Sequence, residues 1–327
     1  MDNRTSLLDL MICRIPGINR REKIELEKKF DSEADFAALS QKDIEHILGR
    51  AIRGRAWDMA DVRSAAEGDA RTAQRCGIHR VSWRDSAYPP LLREIYDPPA
   101  ILFYRGELPD PEKPLVAVVG TRKPSSFAAR RAYTLGRELG EAGFSVVSGL
   151  ALGVDAMAHR GNLEGRGRTV AVLGCGADYI YPVSNRPLAR RILETGGVIL
   201  SEYAPGTRPD KWNFPARNRI VAALARGTVI VEAPQKSGAL ITARLALEQG
   251  RDVWVDRVGI TSPQGEGTAK LVQEGAKVID SVKDIFTEWN IAYVEREGAS
   301  TLHAETRNSA AGAGLAESLA DYLEITL

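Results

Sequence analysis

The chain has 327 residues, 44% hydrophobic and 27% charged, enough to fill a large core and to divide into more than one domain. A formal net charge of +1 excludes a protein basic over its whole surface, yet leaves room for a local basic groove. No apolar run approaches the ~20 residues of a membrane helix, the opening residues lack a basic-then-apolar leader, and Cys13, Cys76 and Cys175 have neither metal nor disulfide spacing; a cytoplasmic protein without membrane contact is expected.

Residues 1–75 predict a small helical domain. Leu7, Leu8, Leu10, Met11 and Ile12 form one apolar stripe, Ile15-Pro16-Gly17-Ile18 breaks it, and Ile24, Leu26 and Phe30 resume it. Phe36, Leu39, Ile44, Ile47 and Leu48 form a third. A helix, a Pro-Gly turn and a helix fit a plain structural hairpin. They also fit a SAM-like or helix-hairpin-helix module whose turn offers N–H groups to a DNA phosphate. Residues 76–112, with Pro89, Pro90, Pro98 and Pro99, read as a linker with one extended segment at Ile101-Leu102-Phe103-Tyr104.

From Leu115 strand and helix patterns alternate, defining a domain over residues 113–290. Strands are expected at 115–119, 145–148, 169–173, 198–201, 228–232 and 252–255. Helices are expected at 126–142, 154–164, 186–195, 217–226, 238–249, 266–273 and 281–289. The strands are rich in Val, Ile and Leu without strict alternation, as when both faces are covered, and helical crossovers force parallel pairing. The expected class is α/β: a Rossmann-like, doubly wound, mostly parallel sheet behind a small all-α domain. Residues 291–327 read as a flexible tail with a short amphipathic pattern over 315–327.

The ends of these strands carry the chemistry. Gly120-Thr121-Arg122 follows the first strand, giving a tight turn, a hydroxyl and a guanidinium fork for phosphate. It is neither a Walker A loop nor a dinucleotide fingerprint. Ser148-Gly149, Gly153 and Asp155 open the next helix, with His159 one turn on. That spacing allows an Asp155–His159 hydrogen bond, serving acid–base work or ordering of the loop. Gly174-Cys175-Gly176 ends the third strand, followed by Tyr181-Pro182 and by Asn185 as an N-cap. Between Pro205 and Arg226 stand Arg208, Lys211, Arg217, Arg219 and Arg226 against one acid, Asp210, interleaved with Trp212 and Phe214. Such interleaving suits single-stranded nucleic acid, with rings on bases and cations on the backbone. Glu232 ends the fifth strand and is expected to order a loop, while Ser237-Gly238 opens another helix ahead of Thr242. The cations are 33 Arg and 11 Lys, a bias that suits phosphate and that a GC-rich genome would equally produce.

Together these motifs resemble the DNA-processing protein A family (DprA or Smf) across about residues 115–280. The likeness runs through Gly120-Thr121-Arg122, Ser148-Gly149-Leu150-Ala151 with Gly153, Asp155, Ala158 and His159, and Val172-Leu173-Gly174 with Gly176. It continues through Tyr181-Pro182 with Asn185, Ser201-Glu202-Tyr203, Phe214-Pro215 with Arg217-Asn218-Arg219, Glu232-Ala233, and Ser237-Gly238 with Thr242-Ala243. The resemblance implies a homodimer that protects single-stranded DNA and loads a RecA-type recombinase, meeting single-strand-binding protein indirectly, with no cofactor and no catalysis. Arg122 matches the family's principal DNA-contacting Arg, and Asn185 and Arg186 border the same pocket. The expected DNA-binding set is Gly120, Thr121, Arg122, Ser148, Gly149, Gly153, Gly174, Gly176, Tyr181, Asn185, Arg186, Phe214, Arg217, Asn218, Arg219, Ser237 and Gly238, with Asp155, His159, Glu232 and Thr242 ordering the loops.

The chain departs from the family at Phe127-Ala128, at Asp256-Arg257-Val258-Gly259 and at Gly267-Thr268-Ala269, and no winged-helix pattern follows. The alternative reading is a nucleotide or phosphoribosyl hydrolase of the lysine-decarboxylase-like Rossmann group, whose Pro-Gly-Gly-x-Gly-Thr loop this chain lacks. A partner-binding scaffold with a vestigial pocket is the third.

Overall fold

The computed structural model describes residues 6–292 and divides the chain into two units at Asp280. The first begins with α1 (Leu7–Arg14), α2 (Arg20–Lys29), α3 (Glu33–Ala37), α4 (Gln41–Leu48) and α5 (Met59–Arg75). Reciprocal capping boxes start three of them: Ser6 with Asp9, Asn19 with Glu22, and Ser40 with Asp43. Their apolar stripes, including Leu10, Met11, Ile12, Leu26, Phe36 and Ile44, close one core that also takes in Ile101 and Phe103. At the Pro16-Gly17 turn, the Gly17 carbonyl accepts from Arg50 (3.1 Å), and the amides of Asn19 and Glu22 are held by each other's side chains. Two of the amides at the start of α2 are thus engaged within the protein.

Next come β1 (His79–Ser82), α6 (Pro90–Arg93), β2 (Ile101–Gly106), β3 (Leu115–Val119), α7 (Ser126–Glu141), β4 (Ser145–Ser148), α8 (Val154–Glu164) and β5 (Val170–Leu173). A 3-10 turn (Val183–Asn185) leads into α9 (Arg186–Glu194), β6 (Val198–Ser201), α10 (Asn213–Leu224), β7 (Gly227–Ile230), α11 (Gly238–Glu248), β8 (Asp252–Asp256), α12 (Arg257–Thr261), α13 (Glu266–Gln273) and β9 (Lys277–Ile279). In the second unit the described part holds α14 (Val282–Glu288), with a Ser281–Asp284 capping box. Expectations for residues 293–327 lie outside the described residues.

The sheet has nine strands in the order β1-β2-β6-β5-β4-β3-β7-β8-β9. The seven from β6 to β9 are parallel, and β1 and β2 join antiparallel at one edge. The α/β class and the doubly wound, mostly parallel sheet therefore hold. Residues 76–112, expected as a linker with an extended segment at Ile101-Leu102-Phe103-Tyr104, supply two of its strands: that segment is β2, which pairs Phe103 with Ser201, and β1, with Val81 its one apolar residue, was not expected. The chain steps outward from β3 to β4, β5 and β6, then returns to place β7 on the other side of β3. Right-handed crossovers put α7–α9 on one face and α10–α11 on the other. The order reverses between β3 and β7, and a ligand crevice of such a sheet opens at that reversal, outside the carboxyl ends of the strands.

Candidate nucleic-acid interface

The loops leaving β3 and β4 are locked together at this reversal. The Thr121 amide donates to the Glu232 carbonyl (2.8 Å), tying the end of β3 to that of β7. The Thr121 carbonyl accepts from the Val154 amide (3.2 Å) at the start of α8, while the Thr121 hydroxyl accepts from the Lys123 amide. Gly153 has φ +79°, and a Cβ there would overlap the backbone of Thr121 and Arg122. Only glycine lets the β4–α8 loop pass so close beneath the Arg122 turn. Ser148 is fully buried, its hydroxyl donating to Val118 O (2.7 Å) across the β3–β4 pair.

A buried polar layer supports these loops. Asp155 accepts from the amides of Gly149 (3.0 Å) and Ala151 (3.4 Å). Burial pushes its carboxyl above the usual range against the opposing pull of Arg217 and those amides. The Asp155–His159 bond that the spacing allows does not form. His159 Nδ1 instead meets Thr169 Oγ1 at 2.6 Å. The Thr169 hydroxyl donates to Val146 O (2.8 Å), so it accepts from the imidazole and Nδ1 carries the proton. Burial, helped by the Arg217 charge, lowers His159 to about 3. Asn185 does not cap α9 through its side chain; its buried amide donates to Leu150 O (3.0 Å) and Ala151 O (3.3 Å), bracing the β4–α8 loop. Glu232 accepts from the Ser125 amide and hydroxyl (2.8 Å each) and from the Ser262 hydroxyl, holding the start of α7 and the α12–α13 loop. Thr242 turns back onto its own helix, bonding Gly238 O (3.4 Å), and Ser237 caps α11 through Ala239. Asn218 also donates to Gly238 O (3.3 Å).

Two expected cations are taken by the protein itself. Arg217 is buried, its guanidinium packed over Gly149 and donating to the Val172 carbonyl, and burial lowers it to about 10. Arg219 is buried against Glu202 (2.7 and 2.9 Å) and Asp97 (3.0 Å). For Glu202, burial that would raise its carboxyl is outweighed by Arg219 and Arg20, which hold it below the ordinary range. α10 begins at Asn213, four residues before expectation, because Pro215 sits in a first turn where its missing N–H is not needed. Both arginines therefore point from a helix embedded in the protein.

The exposed groups are different ones. Phe214, at the start of α10, packs on Gly174 at the end of β5. Its ring centre lies 5.5 Å from that of Tyr181, and the Arg122 Cζ is 5.7 Å from it. Arg122, Lys123, Arg186, Arg208, Lys211 and Lys236 are all exposed in loops or helix starts at the carboxyl edge. Trp212 and Phe127 are 73% and 78% exposed, with Lys211 5.1 Å from the Trp212 ring and Arg208 5.2 Å from that of Tyr179. Lys211 and Trp212 were outside the expected set; the cation-rich, aromatic segment containing them was the available signal. Among the described residues no cluster of His, Cys, Asp and Glu could hold a metal ion.

Residues 79–290 match the family described as DNA recombination-mediator protein A. The chain belongs to this family. Within the DprA family it is 41% identical to DNA processing protein DprA of Bacillus subtilis over 223 residues, 67% of this chain and 75% of that one. The crystal structure of DprA from Streptococcus pneumoniae superposes with TM-score 0.71 at 36% identity, covering 85% of this chain and 95% of that one. A structure of DNA processing protein A from Helicobacter pylori, described for its single-stranded DNA binding mode, gives TM-score 0.58 at 32% identity, covering 64% and 95%. The DprA family membership extends over β1 and β2 as well as the parallel strands, since the match begins at His79.

Proposed function

We propose that the carboxyl edge of the sheet binds single-stranded DNA, with Arg122, Lys123, Arg186 and Lys211 on the sugar-phosphate chain and Phe214, Tyr181 and Trp212 against bases. The observation that carries this reading is the placement of Arg122 beside the paired Phe214 and Tyr181 rings at the strand-order reversal. Stacking on rings and pairing of cations with phosphates need no base sequence, as suits protection of an arbitrary strand. The single-stranded DNA binding described for the Helicobacter pylori relative supports it. Gly120, Thr121, Ser148, Gly149, Gly153, Gly174 and Gly176 shape the surface, and Ser237, Gly238 and Asn218 border it. Arg217 and Arg219 act beneath it.

The edge performs no bond-breaking. Glu232, the carboxylate best placed for a base, is occupied by Ser125 and Ser262, and His159 is buried beside Thr169. Loading of a RecA-type recombinase, an indirect link to single-strand-binding protein, assembly as a homodimer and a cytoplasmic location complete the proposal, following from the family.

The test is fluorescence anisotropy with oligothymidine at two salt levels. Arg122→Ala should weaken binding about tenfold and lower the salt slope by roughly one contact. Unchanged affinity and slope would sink the role of Arg122. Release of free base from nucleoside monophosphates would favour the hydrolase instead.

A further inference from the structure

We infer that a bound strand continues past the carboxyl edge onto a second platform, Arg21 with Tyr96, where the helical unit meets the segment entering β2. This rests on the single-stranded DNA reading above. Tyr96 is 78% exposed, and the Arg21 Cζ lies 4.4 Å from its ring centre. The guanidinium orients the ring, and the ring still presents aromatic surface to solvent. A base that stacks on such a ring brings its phosphate within reach of the cation.

The fold puts this pair on the same side as Arg122. β2 runs antiparallel to β6 with Phe103 opposite Ser201, so the chain entering β2 arrives at the carboxyl end of β6. α10 links the two places. Phe214 lies near its start, and Arg219 follows about 7 Å along the axis. Arg219 Nε donates to the carbonyl (3.2 Å) and carboxylate (3.0 Å) of Asp97, the neighbour of Tyr96. Arg20, the neighbour of Arg21, donates to Glu202 (2.8 Å) and approaches Asp97 at 3.6 Å. Glu202 therefore ties the chain beside Arg21 to the helix that carries Phe214, and Arg219 of that helix in turn holds Asp97, beside Tyr96. A buried ionic network adds little net stability over an apolar core, so its physical effect here is to set position. Duplex DNA keeps its base faces stacked, so the platform takes a single strand.

Anisotropy with labelled oligothymidine of about 6 and about 20 nucleotides separates the two sites, since a short strand fills only one. Tyr96→Ala and Arg21→Ala should each weaken the long strand about fivefold or more and leave the short strand unchanged, while Tyr96→Phe retains wild-type binding. Arg122→Ala should weaken both lengths. Wild-type binding of the long strand by Tyr96→Ala and Arg21→Ala, with Arg122→Ala still impaired, would overturn the second platform alone. An equal loss on both lengths, or loss in Tyr96→Phe, would also overturn it. Unimpaired binding by Arg122→Ala would instead remove the reading on which it rests.

Discussion

Side chains beneath the interface hold fixed protonation states, and His159 gives the clearest consequence. Its imidazole stays neutral in the folded protein down to about pH 3, against an ordinary value of 6.5. The unfolded chain therefore binds the extra proton first, so stability present at neutral pH is lost as pH falls below about 6.5. Between pH 6.5 and pH 5 His159 alone should remove about 1.6 kcal/mol, the loss approaching about 1.4 kcal/mol per pH unit once the unfolded-chain imidazole is protonated. Urea unfolding of the wild type and His159→Gln at both pH values checks this; an equal pH dependence in the two would refute it. Glu202 is the other outcome at this scale. Glu202→Ala leaves buried Arg219 with Asp97 as its remaining carboxylate and should cost about 3 kcal/mol, the low end for breaking a buried ion pair, read as a lower urea midpoint. Sequence spacing made Asp155 and His159 visible as an ordering pair but not their partners. A carboxylate in the first turn of a helix reaches back to its own loop, whereas Thr169 reaches His159 from just before β5, which no helical period encodes. Arg217 and Arg219 read as surface cations because a letter carries charge, not exposure.

The central strands were legible because most are short runs rich in Val, Ile and Leu, and α7, α8 and α11 because each begins at a serine cap or a glycine. β3 and β4 match their expected bounds, Leu115–Val119 and Ser145–Ser148. β9, at three residues, is too short for any period to register, and β1 has Val81 as its one apolar residue, whereas β2 lies over the extended segment that the sequence marks at Ile101–Tyr104. The glycine loops were legible as loops, while their mutual contact was not: Gly153 is needed because the Arg122 turn crosses it, a relation between two elements 30 residues apart. Gly153→Ala should therefore displace that turn, destabilise the protein by about 1–3 kcal/mol and weaken oligothymidine binding more than an exposed alanine substitution does. Melting temperature and anisotropy on one preparation test it, and wild-type values in both would refute the strained-loop account.

At the scale of the whole molecule, a net charge of +1 coexists with six exposed cations in loops or helix starts at one edge of the sheet. The topology produces this concentration: every parallel strand ends at that edge, and each crossover begins there. Strand order could not be read from the sequence, so neither could the gathering of Arg122, Arg186 and Lys211, which follow three different strands, on one edge. Binding should accordingly behave as that of a basic protein despite the neutral total. With about four phosphate contacts at ~0.7 released ions each, affinity should fall ~50-fold between ~50 and ~200 mM salt. Equilibrium titration with oligothymidine across that range measures the slope. A slope near zero would mean that the edge holds its strand by stacking alone, and a slope twice as steep would require cations well beyond the loops that follow the parallel strands.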